Sequence, residues 1–371
     1  MDYARRRARL RRLLRRQNLE GLLVTDRLNV RYLSGFTGDD SFLFIWADNQ
    51  LLLTDARFTQ QAQEECPDLE VAVRPVGTSM VEAVRRAVRS AKVGRLGIEA
   101  DNVSVGFFDR LSARLSRVEL VKTSGLVEQL RQIKDTEELE RIRRAVWQAE
   151  RAFGALWATL RWEKTEVELA HELEMHLRAF GAWGSSFPPI VASGARSALP
   201  HARPMPIPIA SGRMLLVDWG ANEGLYQSDL TRTLLLGRIS AKLHRMYQVV
   251  LKAQQKAIEA IRPGVPAQEV DRLARQVIAQ AGWGKRFGHS LGHGIGLAVH
   301  EGPRLGPAGR NSAGCLLRPG MVVTVEPGVY LPGFGGVRIE DMVLVTRSGH
   351  ELLSSLPKKL EEMLLGNTLA E

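Results

Sequence analysis

At 371 residues with 44% hydrophobic content, the chain is long enough for two domains with a core each, which excludes large-scale disorder. No apolar run is long enough to span a bilayer and none of signal-peptide length follows the basic start, so the sequence reads as cytoplasmic, with no membrane partner. Two cysteines, Cys66 and Cys315, far apart and outside any CxxC spacing, exclude a disulfide framework or a thiolate metal site.

The formal charge of +10 raises a nucleic-acid partner mainly through eight arginines between Arg5 and Arg16. The same stretch carries Leu10, Leu13 and Leu14 at helical spacing, with Tyr3 seven residues before Leu10, and is predicted to be an amphipathic helix whose arginines form a solvated face. Without an RNA-binding motif or interleaved aromatics, a nucleic-acid partner is not expected. GLLVTD follows as a buried strand, RLNVRYLSGF as a turn and irregular segment, SFLFIWADNQLLLTD as a hairpin turning at Asp48-Asn49, and RFTQQAQEE as a helix. VAVRPV, RLGIEA and VELVKT are predicted strands, with SMVEAVRRAVRSA and GFFDRLSARL as the helices between them. This alternation implies an α/β domain over residues 1–125 with a mixed or parallel sheet.

From residue 126 the periodicity becomes helical, with Asp135 or Thr136 placed to cap a helix after Lys134. Thr165 and Glu168 have capping-box spacing, and Leu169, Leu173, Leu177 and Phe180 mark the buried stripe of a helix ending at Gly181. His171 and His176 on that helix point about 140° apart, so they cannot share an ion as an i, i+4 pair would. Two more helices are predicted from about 241 to 261 and 267 to 281, and the runs CLLRPG, MVVTVEPG and VRIEDMVLVT read as strands. Helices and strands in blocks predict an α+β second domain over residues 126–371.

The chemistry concentrates in that second domain. In LLVDWGANEGLYQSDLTRTLLL, two strand-like runs flank a turn-rich segment, so a hairpin would bring Asp218 and Asp229 together. Buried paired carboxylates persist only if one is protonated or a cation lies between them, which makes a metal the leading explanation. Glu326 ends a strand before Pro327, and Glu340 shares a strand face with Arg338 in VRIEDMVLV. GHSLGHGIGLAVHE packs His289, His293 and His300 among glycines, and His201 lies upstream. Four carboxylates and one imidazole form an oxygen-rich set suited to two divalent ions and metal-assisted hydrolysis.

The order DWGAxxxGxxxSDLTRT, GHGIGLAVHE, TVEPGVY and GVRIEDM resembles the pita-bread metallopeptidase family of aminopeptidase P and prolidase. DRLNVRYLSGF and LLLTDARF resemble the creatinase-type N-terminal domain of its proline-peptidase branch. The resemblance implies metal ligands Asp218, Asp229, His293, Glu326 and Glu340, with Asp229 and Glu340 bridging two ions, expected to be Mn²⁺, with Co²⁺ or Zn²⁺ as alternatives. It implies Glu326 as general base and acid, His201 and His300 as donors to the tetrahedral intermediate, and His289 and Arg338 in the pocket beyond the cut. The activity it implies is an Xaa-Pro aminopeptidase acting on peptides with proline at position two, as a homodimer. Prolidase is the alternative, and a metal-free binding protein a remote one.

Overall fold

The structure, a computed structural model, describes residues 1–307 and 314–365. The chain divides into two compact units, Met1–Arg131 and Gln132–Glu371.

In the first unit a six-stranded mixed sheet runs in the order Glu70–Arg74, Asn49–Asp55, Phe42–Trp46, Gly21–Val24, Arg95–Glu99, Glu119–Thr123. The central strand pairs antiparallel with Phe42–Trp46 and parallel with Arg95–Glu99. Helices Met80–Ser90 and Val105–Arg114 start at Ser79 and Ser104, whose hydroxyls accept from the third residue of each helix. Val84, Val88 and Leu111 on these helices join Leu23, Phe44, Leu96 and Ile98 in the core. The unit extends six residues past the expected boundary at 125. The short helix Glu128–Arg131 is tied back to it, Arg131 Nη1 donating to Asn29 Oδ1 at 3.0 Å and Leu130 O accepting from the Tyr32 hydroxyl.

RLNVRYLSGF is a helix, Arg27–Ser34, rather than irregular chain. Asp26 caps its start by accepting from Asn29 N, and Gly35, at φ 84°, ends it in the left-handed region where glycine is at ease. The arginine-rich helix, Tyr3–Arg16, also departs from expectation, because Arg6 and Arg7 are buried. Arg6 donates to Tyr32 O and Arg7 to Leu33 O, two carbonyls in the last turn of Arg27–Ser34, where the helix itself supplies no donors.

The second unit has a four-stranded sheet ordered Leu364–Leu365, Leu230–Leu236, Met214–Trp219, Ile190–Ser193. A five-stranded sheet is ordered Glu301–Leu305, Gly292–Gly294, Val322–Val325, Asp341–Val345, His350–Leu352. An isolated bridge pairs Thr231, in the first of these sheets, with Glu340, the residue just before the strand Asp341–Val345 of the second. The helices Thr136–Ala158 and Glu166–Ala179 both begin with capping boxes, Asp135 with Glu138 and Thr165 with Glu168. Ala241–Ala260 and Ala267–Gln280 supply further core, and no described helix is long and apolar enough to cross a membrane.

Two predicted strands read differently in space. CLLRPG makes only an isolated bridge, Leu316 to Pro266. VRIEDMVLVT is two strands, Gly335–Arg338 and Asp341–Val345, broken where Glu340 crosses to Thr231. The acid thereby leaves the ladder and turns towards the other sheet.

Candidate metal centre and substrate cavity

Met214–Trp219 and Leu230–Leu236 pair antiparallel, with Asp218 opposite Thr231 and Trp219 opposite Leu230. Between them the chain folds back at Gly224 and Leu225, both at positive φ. Gly220 is required here, because a Cβ would lie 1.8 Å from Ser228 O. Trp219 fixes the end of its strand: its ring stacks on Phe153 at 4.3 Å and its Nε1 donates to Ala149 O at 2.9 Å. With one face of the strand locked into core, Asp218 is directed to the other.

The Leu230–Leu236 face carrying Asp229, Thr231 and Thr233 meets the segment Arg338–Glu340. Thr231 Oγ1 donates to Glu340 Oε2 at 2.7 Å and accepts from Arg338 Nε at 3.1 Å, while Thr233 Oγ1 bonds both the N–H and the carbonyl of Arg338. Arg338 also donates to Asp218 Oδ2 and, at 2.9 Å, to the Tyr330 hydroxyl. His293 sits in Gly292–Gly294, where Gly292 is pressed so close to Thr324 O that no side chain fits. Its Nε2 lies 3.6 Å from Asp229 Oδ2 and 3.4 Å from Glu326 Oε1.

Asp229, His293 and Glu340 each offer a ligand atom within 4.8 Å of the others. Burial and the charges of Glu340, Asp218 and Glu326 raise the Asp229 carboxyl well above its usual range, and burial with Glu326 and Asp218 does the same to Glu340. Burial pushes Glu326 up to about 8 and holds His293 neutral, at about 4. Acids this close and this dry ionise together only beside positive charge. Asp218 Oδ1 and Glu340 Oε1 are buried with no hydrogen-bond partner, a costly arrangement for an oxygen that a cation would satisfy. The donor set therefore fits hard or borderline divalent ions.

All nine residues singled out in the sequence, these five ligand candidates with His201, His289, His300 and Arg338, line one cavity of about 440 Å³. Phe187, Pro188, Pro189, Ile190 and Pro200 form much of its apolar wall. His289 spends both ring nitrogens on the protein: Nδ1 faces Ser290 O at 2.8 Å and Nε2 the Tyr330 hydroxyl at 2.9 Å. It offers the cavity ring carbon, not a donor. Tyr330 and Thr231 escaped the sequence reading. Tyr330 pairs within the hairpin of Gly328–Leu331 and Gly335–Arg338, and Thr231 lies two residues after Asp229 on the same strand face, a spacing that could have flagged it. His171 and His176 lie elsewhere, on the helix Glu166–Ala179.

Residues 140–347 match the metallopeptidase family M24, and residues 6–133 match the creatinase/prolidase N-terminal domain. An Xaa-Pro dipeptidase of Pyrococcus horikoshii is 34% identical over 93% of this chain and 95% of its own length. Among solved structures, an Xaa-Pro dipeptidase from Bacillus anthracis superposes with a TM-score of 0.92 at 37% identity, covering 98% of this chain and all of that one. An X-Pro aminopeptidase from Thermotoga maritima superposes at 0.85 with 36% identity, over 95% of this chain and 99% of that one. The chain belongs to metallopeptidase family M24 and pairs a pita-bread catalytic domain with a creatinase-type N-terminal domain.

Proposed function

We propose that the protein is a metal-dependent Xaa-Pro dipeptidase, hydrolysing the bond before proline in a dipeptide. One observation carries the reading: a buried cluster of four carboxylates and an imidazole, two of its oxygens unpartnered, lines a cavity with an apolar wall of ring side chains. Proline presents a tertiary amide with no N–H and a compact ring, and such a wall suits it better than a donor-lined groove. The Pyrococcus and Bacillus dipeptidases support the dipeptide over the longer substrates that the sequence motifs first suggested.

Asp218, Asp229, His293, Glu326 and Glu340 would hold two divalent ions, and Mn²⁺ suits so oxygen-rich a set. Bound there, such ions supply Lewis acidity and lower the pKa of water. Glu326, raised by burial, takes a proton from the attacking water and passes it to the proline nitrogen as the C–N bond breaks. His201 and His300 on the cavity wall donate to the oxyanion of the tetrahedral intermediate. Arg338 offsets the charge of Asp218 and, through Tyr330, fixes the His289 ring.

The Thermotoga enzyme favours a second reading, an aminopeptidase that accepts peptides extended beyond proline. Hydrolysis of Ala-Pro and Ala-Pro-Gly by Mn²⁺-loaded protein separates the two. The dipeptidase reading expects Ala-Pro to be preferred, and faster release of alanine from Ala-Pro-Gly would replace it with the aminopeptidase.

A further inference from the structure

The His300 ring lines the cavity, makes no hydrogen bond with any described residue and lies against the His293 ring, centroids 4.2 Å apart. His289, by contrast, has both ring nitrogens held by the protein. A donor whose nitrogens are free is aimed by the chain that carries it, and a displacement of about 1 Å at such a group can cost up to about a hundredfold in rate.

That chain is tied down at the next residue. Glu301 opens the strand Glu301–Leu305 and pairs with Gly294 across a register shift after His293. Its Oε1 accepts from Lys134 Nζ at 2.7 Å, and the two side chains are 5% and 0% exposed. Lys134 is itself rooted: its N–H donates to Gly320 O at 2.8 Å, and Asp135, next in the chain, caps the helix Thr136–Ala158. The chain from Gly294 to Glu301 closes over the pair at Gly296, where a Cβ would collide with Glu301 Oε1 and lie 3.1 Å from Lys134 Cε. Gly296 O also accepts from Gln227 N at 2.8 Å, two residues before Asp229.

A buried ion pair adds little stability over an apolar pair of the same shape, but it selects one geometry where apolar side chains permit several. Lys134 and Glu301 are not among the described residues lining the cavity, whereas Val299 and His300 are, so the pair acts on the reaction only through the chain it holds. We infer that Lys134 and Glu301 are positioning residues, a buried ion pair that aims His300 at the oxyanion of the tetrahedral intermediate. The inference rests on the hydrolytic reading and its assignment of His300, and it holds for a dipeptide or a longer substrate alike.

The test is a double-mutant cycle on kcat and KM for Ala-Pro and Ala-Pro-Gly, with bound Mn²⁺ counted in every variant. His300→Ala should lower kcat by about a hundredfold, the worth of one oxyanion donor. Lys134→Met should lower kcat by about tenfold or more, with KM within about twofold of wild type and both ions bound. In the His300→Ala background, Lys134→Met should cost less than about twofold further, because the group it aims is gone. Glu301→Gln, whose amide oxygen still accepts from Lys134, should keep most of kcat. Lys134→Met combined with Glu301→Gln strands no buried charge and should show the same loss as Lys134→Met, which decides the matter if the single variant does not fold. Losses that multiply in the cycle, an unchanged kcat in the charge-free double variant or in His300→Ala, or a change confined to KM overturn the positioning role and leave the hydrolytic reading standing. No cleavage of either peptide by wild type with two ions bound defeats that reading and the inference together.

Discussion

Arg232 tests whether the metal centre is held from behind by a buried ionic network. The side chain is fully buried and its donors are all engaged: Nε to Pro357 O at 2.8 Å, Nη1 to Thr231 O at 3.0 Å and Glu340 O at 2.6 Å, Nη2 to Asp341 Oδ1 and Leu356 O at 2.8 and 2.9 Å. Asp341 also accepts from Gln254, Ser354 and Lys358, and Arg232 with Lys358 holds its carboxyl far below the usual range despite burial. Arg232→Met keeps much of the volume but takes from the buried Asp341 its fully buried cationic partner, leaving Lys358 as its counter-charge, and removes a donor each from the carbonyls of Thr231 and Glu340. Removing one partner of a buried ion pair costs about 3–5 kcal/mol. Replacing both partners, Arg232→Met with Asp341→Leu, should recover at least half of that, because Lys358 is partly exposed and can turn to solvent. Urea unfolding followed by circular dichroism gives the stability, and competition with a chromophoric chelator gives Mn²⁺ affinity, expected to fall in the single variant as Glu340 loses its backing. A loss under about 1 kcal/mol, or a double variant less stable than the single, refutes the reasoning.

Three other outcomes follow from the same contacts. Asp229→Ala or Glu340→Ala should abolish bound metal and activity together, whereas His201→Ala should keep its metal by elemental analysis and lose mainly kcat; activity in Asp229→Ala would contradict the ligand set. Arg6→Ala with Arg7→Ala should destabilise the N-terminal unit by about 2–4 kcal/mol, because Tyr32 O and Leu33 O lose buried charged donors, and an unchanged melting temperature would return both arginines to the solvated face. Glu99 is buried and raised to about 7, so its protonated form favours folding: its contribution is complete below pH 4.5 and lost as pH rises through 7, about 3 kcal/mol in all. Glu99→Gln should flatten that part of the stability profile in thermal melts between about pH 4.5 and 7, and a profile parallel to wild type would show that another group is responsible.

Much of this architecture is written in local patterns. Helix starts at Ser79, Ser104, Asp135 and Thr165 each have a capping side chain in the sequence, and the two runs around Asp218 and Asp229 alternate with turn residues that permit only a hairpin-like return. What escaped were features decided by distant partners. Arg6 and Arg7 are buried because carbonyls twenty-six residues on need donors, which no charge pattern reveals. VRIEDMVLVT reads as one strand, yet Glu340 N finds Thr231 O, on the other sheet, and the ladder breaks there. Arg27–Ser34 was legible in principle from Asp26 and Gly35, but eight residues are too few for periodicity to outweigh the turn signals. At the cavity, acids and histidines stand out by type, whereas Tyr330 and Thr231 are ordinary strand residues until Arg338 and Glu340 are placed against them.

The most direct test of the central claim is hydrolysis of Ala-Pro by chelator-stripped protein, before and after Mn²⁺ is restored, with bound metal counted in the same sample. A metal-dependent Xaa-Pro dipeptidase predicts no turnover when stripped and full turnover as two ions per chain return. Undiminished cleavage by the stripped protein, or none with both ions bound, would contradict it.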